Sequence, residues 1–185
     1  MSSSLDKVTI KGFKSIESLE EFELKALNII VGANGAGKSN FIAFFKLLNA
    51  LIDGNLNRFI RDSGGAVDQL FGGPKKTKKI EFSTRFGTRG FRFNLVATPN
   101  DDVAIEDEAR FYSGGASGWW SLGDSTVGVS KMVAEVKNNT SDARYSRPVY
   151  DAITSWKIYH FHDTSATAPM RGYEIVQDNK VLRWD

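Results

Sequence analysis

The stretch Gly32-Ala33-Asn34-Gly35-Ala36-Gly37-Lys38-Ser39 decides how the chain is read. It matches the pattern G-x-x-x-x-G-K-[ST] at every position. Glycine at 32, 35 and 37 lets the backbone curl until successive N–H groups point inward and form a nest for an anion. At this spacing Lys38 reaches toward the β- and γ-phosphates of a nucleotide, and the Ser39 hydroxyl takes one position on Mg²⁺. A helix beginning at the end of the loop aims its positive end at the same target.

The flanks supply the context that such a loop needs. Leu27-Asn28-Ile29-Ile30-Val31 is a short, mostly apolar run and predicts a buried central strand. From Asn40 the period changes: Phe41, Ile42, Phe44, Phe45, Leu47, Leu48, Leu51 and Ile52 recur at three- and four-residue steps, which predicts a helix buried over much of its surface. Asp53-Gly54-Asn55 ends it. A glycine-rich corner with no ligand leaves the Lys38-Ser39 pair unexplained. Gly32 to Ser39, with Asn40 at the edge, therefore reads as a nucleotide-phosphate site.

Composition narrows the setting without naming a partner. The 185 residues suffice for one domain or a domain and a half with a real core, and 41% hydrophobic with 25% charged residues is ordinary for a globular protein. Thirteen Phe and four Trp point to a well-filled interior. A net charge of +2 selects no class of ligand, and the absence of cysteine excludes disulfides and thiolate metal sites. With no apolar signal core at the N-terminus and no run of membrane-spanning length, the expectation is a cytoplasmic protein that makes no membrane contact.

Around the central motif, Val8-Thr9-Ile10-Lys11-Gly12-Phe13 predicts a strand, Phe13-Lys14-Ser15-Ile16 a turn, and the glutamate-rich Leu19–Leu24 an edge strand or turn. The opening "IKGFKSI…LNIIVGANGAGKSN" resembles the start of the SMC/RecF/OLD-type ATPases, the ABC-like branch of P-loop proteins that works on DNA. The resemblance covers about the first 50 residues. Asn34 and Asn40, flanking the glycines and the Lys-Ser pair, are typical of that branch. It also implies that Lys14 and Ser15 lie near the nucleotide, although Lys14 reads equally well as a solvated lysine.

Residues 53–79 are looser, with Gly64-Gly65 and Gly72-Gly73 bracketing a short apolar segment. Pro74 opens Lys75-Lys76-Thr77-Lys78-Lys79, either a solvated loop or a contact to a phosphate backbone. A β-meander follows: Ile80–Phe86, a turn at Gly87-Thr88-Arg89-Gly90, Phe91–Val96, a turn at Pro99-Asn100-Asp101-Asp102, and a third strand over Val103–Phe111. Arg85, Arg89 and Arg92 form a basic face near the lysine run or solvate the outer side of the sheet. Trp119-Trp120, inside a Gly/Ser-rich stretch over 112–130, read as packing residues more readily than as a base-stacking platform. Short helices are expected over Lys131–Asn138 and from Pro148 to Trp156, then strands at Lys157–Phe161 and Tyr173–Val176.

An ATPase of this branch also needs an apolar strand ending in Asp-Glu and a Ser-Gly-Gly helix start. Ser113-Gly114-Gly115 imitates the second, but no amphipathic helix follows it, so it reads as a loop. Val103–Glu108 imitates the first but belongs to the meander. Ile158–Ser165 is the better strand end, where Asp163 and His162 are candidate Mg²⁺ or water contacts; Thr164 stands in place of Glu. The segment "YHFHDTSATAPMR" resembles one in bacterial AAA/SMC-like ATPases. The glutamine carried at the corresponding place in many ABC-type enzymes is missing. Two His and one Asp are too few for zinc.

The expectation is an α/β P-loop NTPase lobe: a mixed sheet, a buried P-loop helix and an antiparallel β-layer, with the helical lobe and the Asp-Glu half absent. Residues 1–185 form one N-terminal lobe, divided into a core (1–55), a loop and meander (56–130), and a helical segment with a handover strand (131–185). No catalytic residue is assigned within the chain, the catalytic glutamate being expected beyond Asp185. The resemblance implies ATP and Mg²⁺ as cofactors. It further implies a homodimer closed around ATP, DNA and a nuclease as partners, and a role in DNA repair, DNA maintenance or phage defence. A small-molecule or nucleotide kinase, and a module that binds nucleotide only to control assembly, are the rival readings.

Overall fold

The computed structural model of the protein describes residues 4–114, 117–125 and 128–158. The chain divides into two compact units, Met1–Thr154 and Ser155–Asp185, and every element below lies in the first. Its frame is a six-stranded sheet in the order β2-β1-β3-β4-β5-β6. The strands are β1 (Lys7–Phe13), β2 (Ile16–Glu23), β3 (Lys79–Phe86), β4 (Arg89–Ala97), β5 (Val103–Tyr112) and β6 (Gly118–Ser125). Every pairing is antiparallel, so among the described residues the sheet is not the mixed one expected.

The helices α1 (Lys38–Asp53), α2 (Leu56–Asp62), α3 (Lys131–Lys137) and α4 (Ala143–Thr154) gather on one face of this sheet. Val8, Ile10, Ile80, Phe82, Phe86, Phe91, Phe93 and Leu95 point toward them and are buried. Phe82 is the hub: its ring lies 5.5 Å from Phe13, 5.2 Å from Phe44 of α1 and 5.2 Å from Phe93. Each such side chain contributes about 1.5–3 kcal/mol on burial. α1 ends as its sequence predicts. Gly54 takes a left-handed conformation (φ 81°), and the amides of Gly54 and Asn55 close back onto Leu51 and Ala50.

Among the described residues the opposite face carries no helix. There Arg85 lies 3.3 Å above the Phe111 ring, and Arg92 lies 4.9 Å from the ring of Trp119. Guanidinium groups thus cap aromatic rings that would otherwise face water.

A bulge in β5 sets which residues face the helices. Asp107 has φ 49°, its amide bonds to the Asp124 carboxylate, and the register slips on both sides of it. Before the bulge Val103 and Ile105 point inward; after it Glu108, Arg110 and Tyr112 do, and Phe111 is turned outward to lie opposite Trp119. Glu108 is thereby buried at the start of α3. It accepts from the Ser130 hydroxyl (2.5 Å) and from the amides of Lys131 (2.8 Å) and Met132 (3.0 Å). Burial pushes its carboxyl above the ordinary value of 4.5, helped by the charge of Glu135, while the Ser130 and amide hydrogen bonds pull the other way.

Three further expectations are corrected. Leu27–Val31 is not a buried strand: it has no strand pairing, and Leu27, Ile29, Ile30 and Val31 are 76%, 77%, 43% and 84% exposed. Apolar content identified a segment suited to a sheet, but the described strands offer it no neighbour. β6 occupies part of the Gly/Ser-rich stretch, for which no strand was read; its Trp119 packs on Phe111, as a packing residue would, whereas Trp120 is half exposed. α2 lies in the segment read as loose. α4 starts at Ala143 and carries Pro148 in its interior, so the proline does not open the helix. The expected strand at Lys157–Phe161 extends past Ile158 and, like Tyr173–Val176, reaches outside the described residues.

Candidate nucleotide site

The loop from Gly32 to Gly37 leads straight into α1. Gly35 (φ 84°) and Gly37 (φ 90°) both adopt the left-handed region, and Gly37 is the residue at which the chain turns into the helix. These are the conformations for which glycine costs least. The loop closes on itself through the Ala36 amide, which donates to the Ala33 carbonyl at 3.2 Å. The Lys38 ammonium sits inside the curl, donating to the carbonyls of Gly32 (2.7 Å) and Ala33 (2.8 Å). Asn34, Gly35, Ala36 and Ser39 are exposed, and the first-turn amides of α1 have no acceptor one turn back.

A second element meets the loop. The turn between β1 and β2 places the Ser15 hydroxyl against α1, where it accepts from the Asn40 side-chain amide at 2.7 Å. A Cβ added at Gly37 would lie 2.8 Å from the Ser15 oxygen. The structure thus brings together Ser15, Gly37 and Asn40, three of the residues singled out in the sequence. Lys14, beside them, has φ 51°, and its ammonium stands 6.0 Å from the Phe13 ring.

The turn is held by the segment that follows α2. The Lys14 amide donates to the Gln69 carbonyl (2.7 Å), the Phe71 amide to the Gly12 carbonyl (2.9 Å), and Phe13 bridges to Leu70. Lys76 reaches Glu17 at 3.0 Å and covers the Phe71 ring at 4.3 Å. Gln69 and Thr77 brace the turn, the Thr77 hydroxyl bonding to the Phe71 carbonyl at 2.6 Å. The only hint was Gly72-Gly73-Pro74, which announces a tight bend but not its contacts.

The basic residues do not form one face. Lys76 and Lys79 of the lysine run are paired with Glu17 and Glu81. Arg85 and Arg92 lie on the helix-free side of the sheet, whereas Arg89 is opposite inward-facing Phe86. β3 carries Arg85 roughly 20 Å from Lys79. His162 and Asp163 lie outside the described residues, and among the described residues no group of His, Asp and Glu has the makings of a metal site. Ser113 and Gly114 sit in the connection after β5, as read; Gly115 is outside the described residues. No helix among the described residues is long and apolar enough to cross a membrane.

The residues present fit a phosphate chain. Left-handed glycines at 35 and 37 shape a cradle at a helix start, and an ammonium is already held within it by the Gly32 and Ala33 carbonyls. This loop and helix define a P-loop nucleotide-binding protein. Residues 27–183 match the family model AAA_21, described as "AAA domain, putative AbiEii toxin, Type IV TA system", and the chain belongs to that family. No curated protein and no solved structure matches the chain.

Proposed function

We propose that this chain is the ATP-binding lobe of an SMC/RecF/OLD-like ATPase, in which ATP closes two such lobes face to face and the closure serves DNA repair, DNA maintenance or phage defence. The observation that carries the reading is the Lys38 ammonium held by the Gly32 and Ala33 carbonyls inside a loop shaped by left-handed glycines. The contact of Ser15 with Gly37 and Asn40 supports the narrower assignment, because it sets the first turn of the chain against the phosphate loop. The family description, with its toxin–antitoxin reference, favours the defence setting.

In this reading the backbone amides from Gly35 to Ser39 bind the phosphate oxygens. Lys38 exchanges two carbonyl partners for phosphate, and Asn40 orients Ser15 at the rim. Mg²⁺, when bound at the Ser39 hydroxyl, supplies charge neutralisation between the phosphates. Differential affinity of ATP for the closed pair drives association. Turnover by these 185 residues alone is expected to be very slow, with the attacking water positioned by residues supplied elsewhere.

Titration calorimetry with Mg-ATP tests the reading. Wild-type protein should release heat with one-to-one stoichiometry, and Lys38→Ala should abolish it. Sedimentation with ATP, ADP and a non-hydrolysable analogue should then give dimers with ATP and the analogue only. No heat in the wild type, or equal heat in both proteins, refutes nucleotide binding; monomers under every condition refute the closing-lobe mechanism.

A further inference from the structure

At the end of the sheet away from the phosphate loop, three arginines converge on one tyrosine. The guanidinium carbons of Arg144, Arg110 and Arg89 lie 4.7, 5.3 and 6.0 Å from the Tyr145 ring centre. Arg89 also stands 4.3 Å over Tyr112 and donates to the Tyr145 carbonyl at 3.4 Å. Arg110 is neutralised, by Glu135 at 2.7 Å and Asp142 at 3.2 Å. Arg89 and Arg144 have no carboxylate within ion-pair distance among the described residues. Two guanidinium groups without a carboxylate partner among the described residues thus stand near one ring, an arrangement that favours a nearby anion.

The neighbouring residue on β6 narrows the class of anion. Trp120 pairs with Arg110 in register, so their Cβ atoms are about 5 Å apart on the same face of the sheet. Unlike Trp119, which lies under Arg92, Trp120 is 50% exposed. Arginines gathered about Tyr145 on the same strand face as a half-exposed indole suit a flexible polyanion bearing planar rings: phosphates meet Arg89 and Arg144, and an unstacked base lies on Trp120. A duplex presents no free base face to the indole.

We infer that Arg89, Arg144 and Trp120 form a contact for single-stranded nucleic acid. It deepens the proposed function, resting on its nucleic-acid half and not on nucleotide turnover. β1 separates the cluster from the phosphate loop by roughly 20–25 Å, so the two sites can be assayed separately.

The test is fluorescence anisotropy of a labelled oligothymidine with the full chain across a salt series. Arg144→Glu combined with Arg89→Gln should weaken binding by at least about tenfold and flatten the log K against log salt slope by roughly 0.7 per arginine removed. Trp120→Ala, at an exposed position, should weaken it on the order of tenfold and leave the salt slope unchanged. Lys38→Ala should leave oligonucleotide affinity intact, and the arginine variants should keep Mg-ATP heats; wild-type strand binding without any ATP heat would sink the ATPase reading and leave this site standing. The site is overturned if wild type does not bind, or if the double arginine variant, folded by circular dichroism, binds as wild type. It is also overturned if Trp120→Ala is neutral while heparin competes as well as the oligonucleotide, which would mark a docking patch for any polyanion.

Discussion

At the scale of single residues, Gly37 and Glu108 carry the sharpest expectations. A side chain at 37 meets two separate obstacles, the left-handed backbone and the Ser15 oxygen 2.8 Å from its Cβ. Gly37→Ala should cost about 1–2 kcal/mol for the backbone and more for the clash. Adding Ser15→Ala should recover only the second part, a coupling that a double-mutant cycle in urea unfolding would measure. Glu108 has its carboxyl pKa raised in the fold, so between 4.5 and that higher value the native state holds more protons than the unfolded chain. Its contribution is therefore fully present below 4.5 and declines as pH rises through the folded pKa. Urea midpoints at a series of pH values should show this decline, and Glu108→Gln should flatten it. Glu108→Ala should cost about 2–3 kcal/mol, because a hydroxyl and two amides at the start of α3 lose their acceptor.

At the scale of elements, α4 is held against its own local preference. Pro148 has no N–H to give the carbonyl of Arg144, and its ring presses on that carbonyl, yet the helix runs from Ala143 to Thr154. Burial of Val149, Ala152 and Ile153, with the Ser146 hydroxyl bonded to Glu135 at 2.7 Å, outweighs the defect. Pro148→Ala should raise stability by about 1–3 kcal/mol, seen as an upward shift in thermal midpoint. The same contest explains what was legible beforehand. α1 was readable because periodicity, an initiating glycine and the Gly54 stop all agree, and β3 and β4 because their alternation is clean. α4 was misplaced because a proline inside a helix looks locally like a start. β5 was readable as a strand but not as to its faces, since the bulge at Asp107 reverses the alternation and no residue type announces it. Within the site, the loop residues were evident from spacing alone. The bracing of Ser15 by Gln69–Thr77 was hidden, because it depends on a contact between segments more than fifty residues apart.

At the scale of the fold, one side of the sheet bears the four helices of the described residues, and among those residues the other side bears none. The buried apolar side chains are thus concentrated on the helix side, whereas on the other side Arg85 and Arg92 cover the rings of Phe111 and Trp119. Replacing Arg85 with alanine should expose the Phe111 ring. The expected result is stronger binding of a hydrophobic dye such as ANS with a loss of no more than about 1 kcal/mol in stability.

The exposed ribbon Leu27–Val31 has a mechanical consequence. It has no strand partner among the described residues and is joined without a spacer to Gly32, whose carbonyl accepts from Lys38, so whatever pairs with it bears directly on the phosphate cradle. Any extended peptide that laces onto it would stiffen the cradle from behind, and ATP affinity would then act as a strain gauge for a contact made at some remove from the nucleotide.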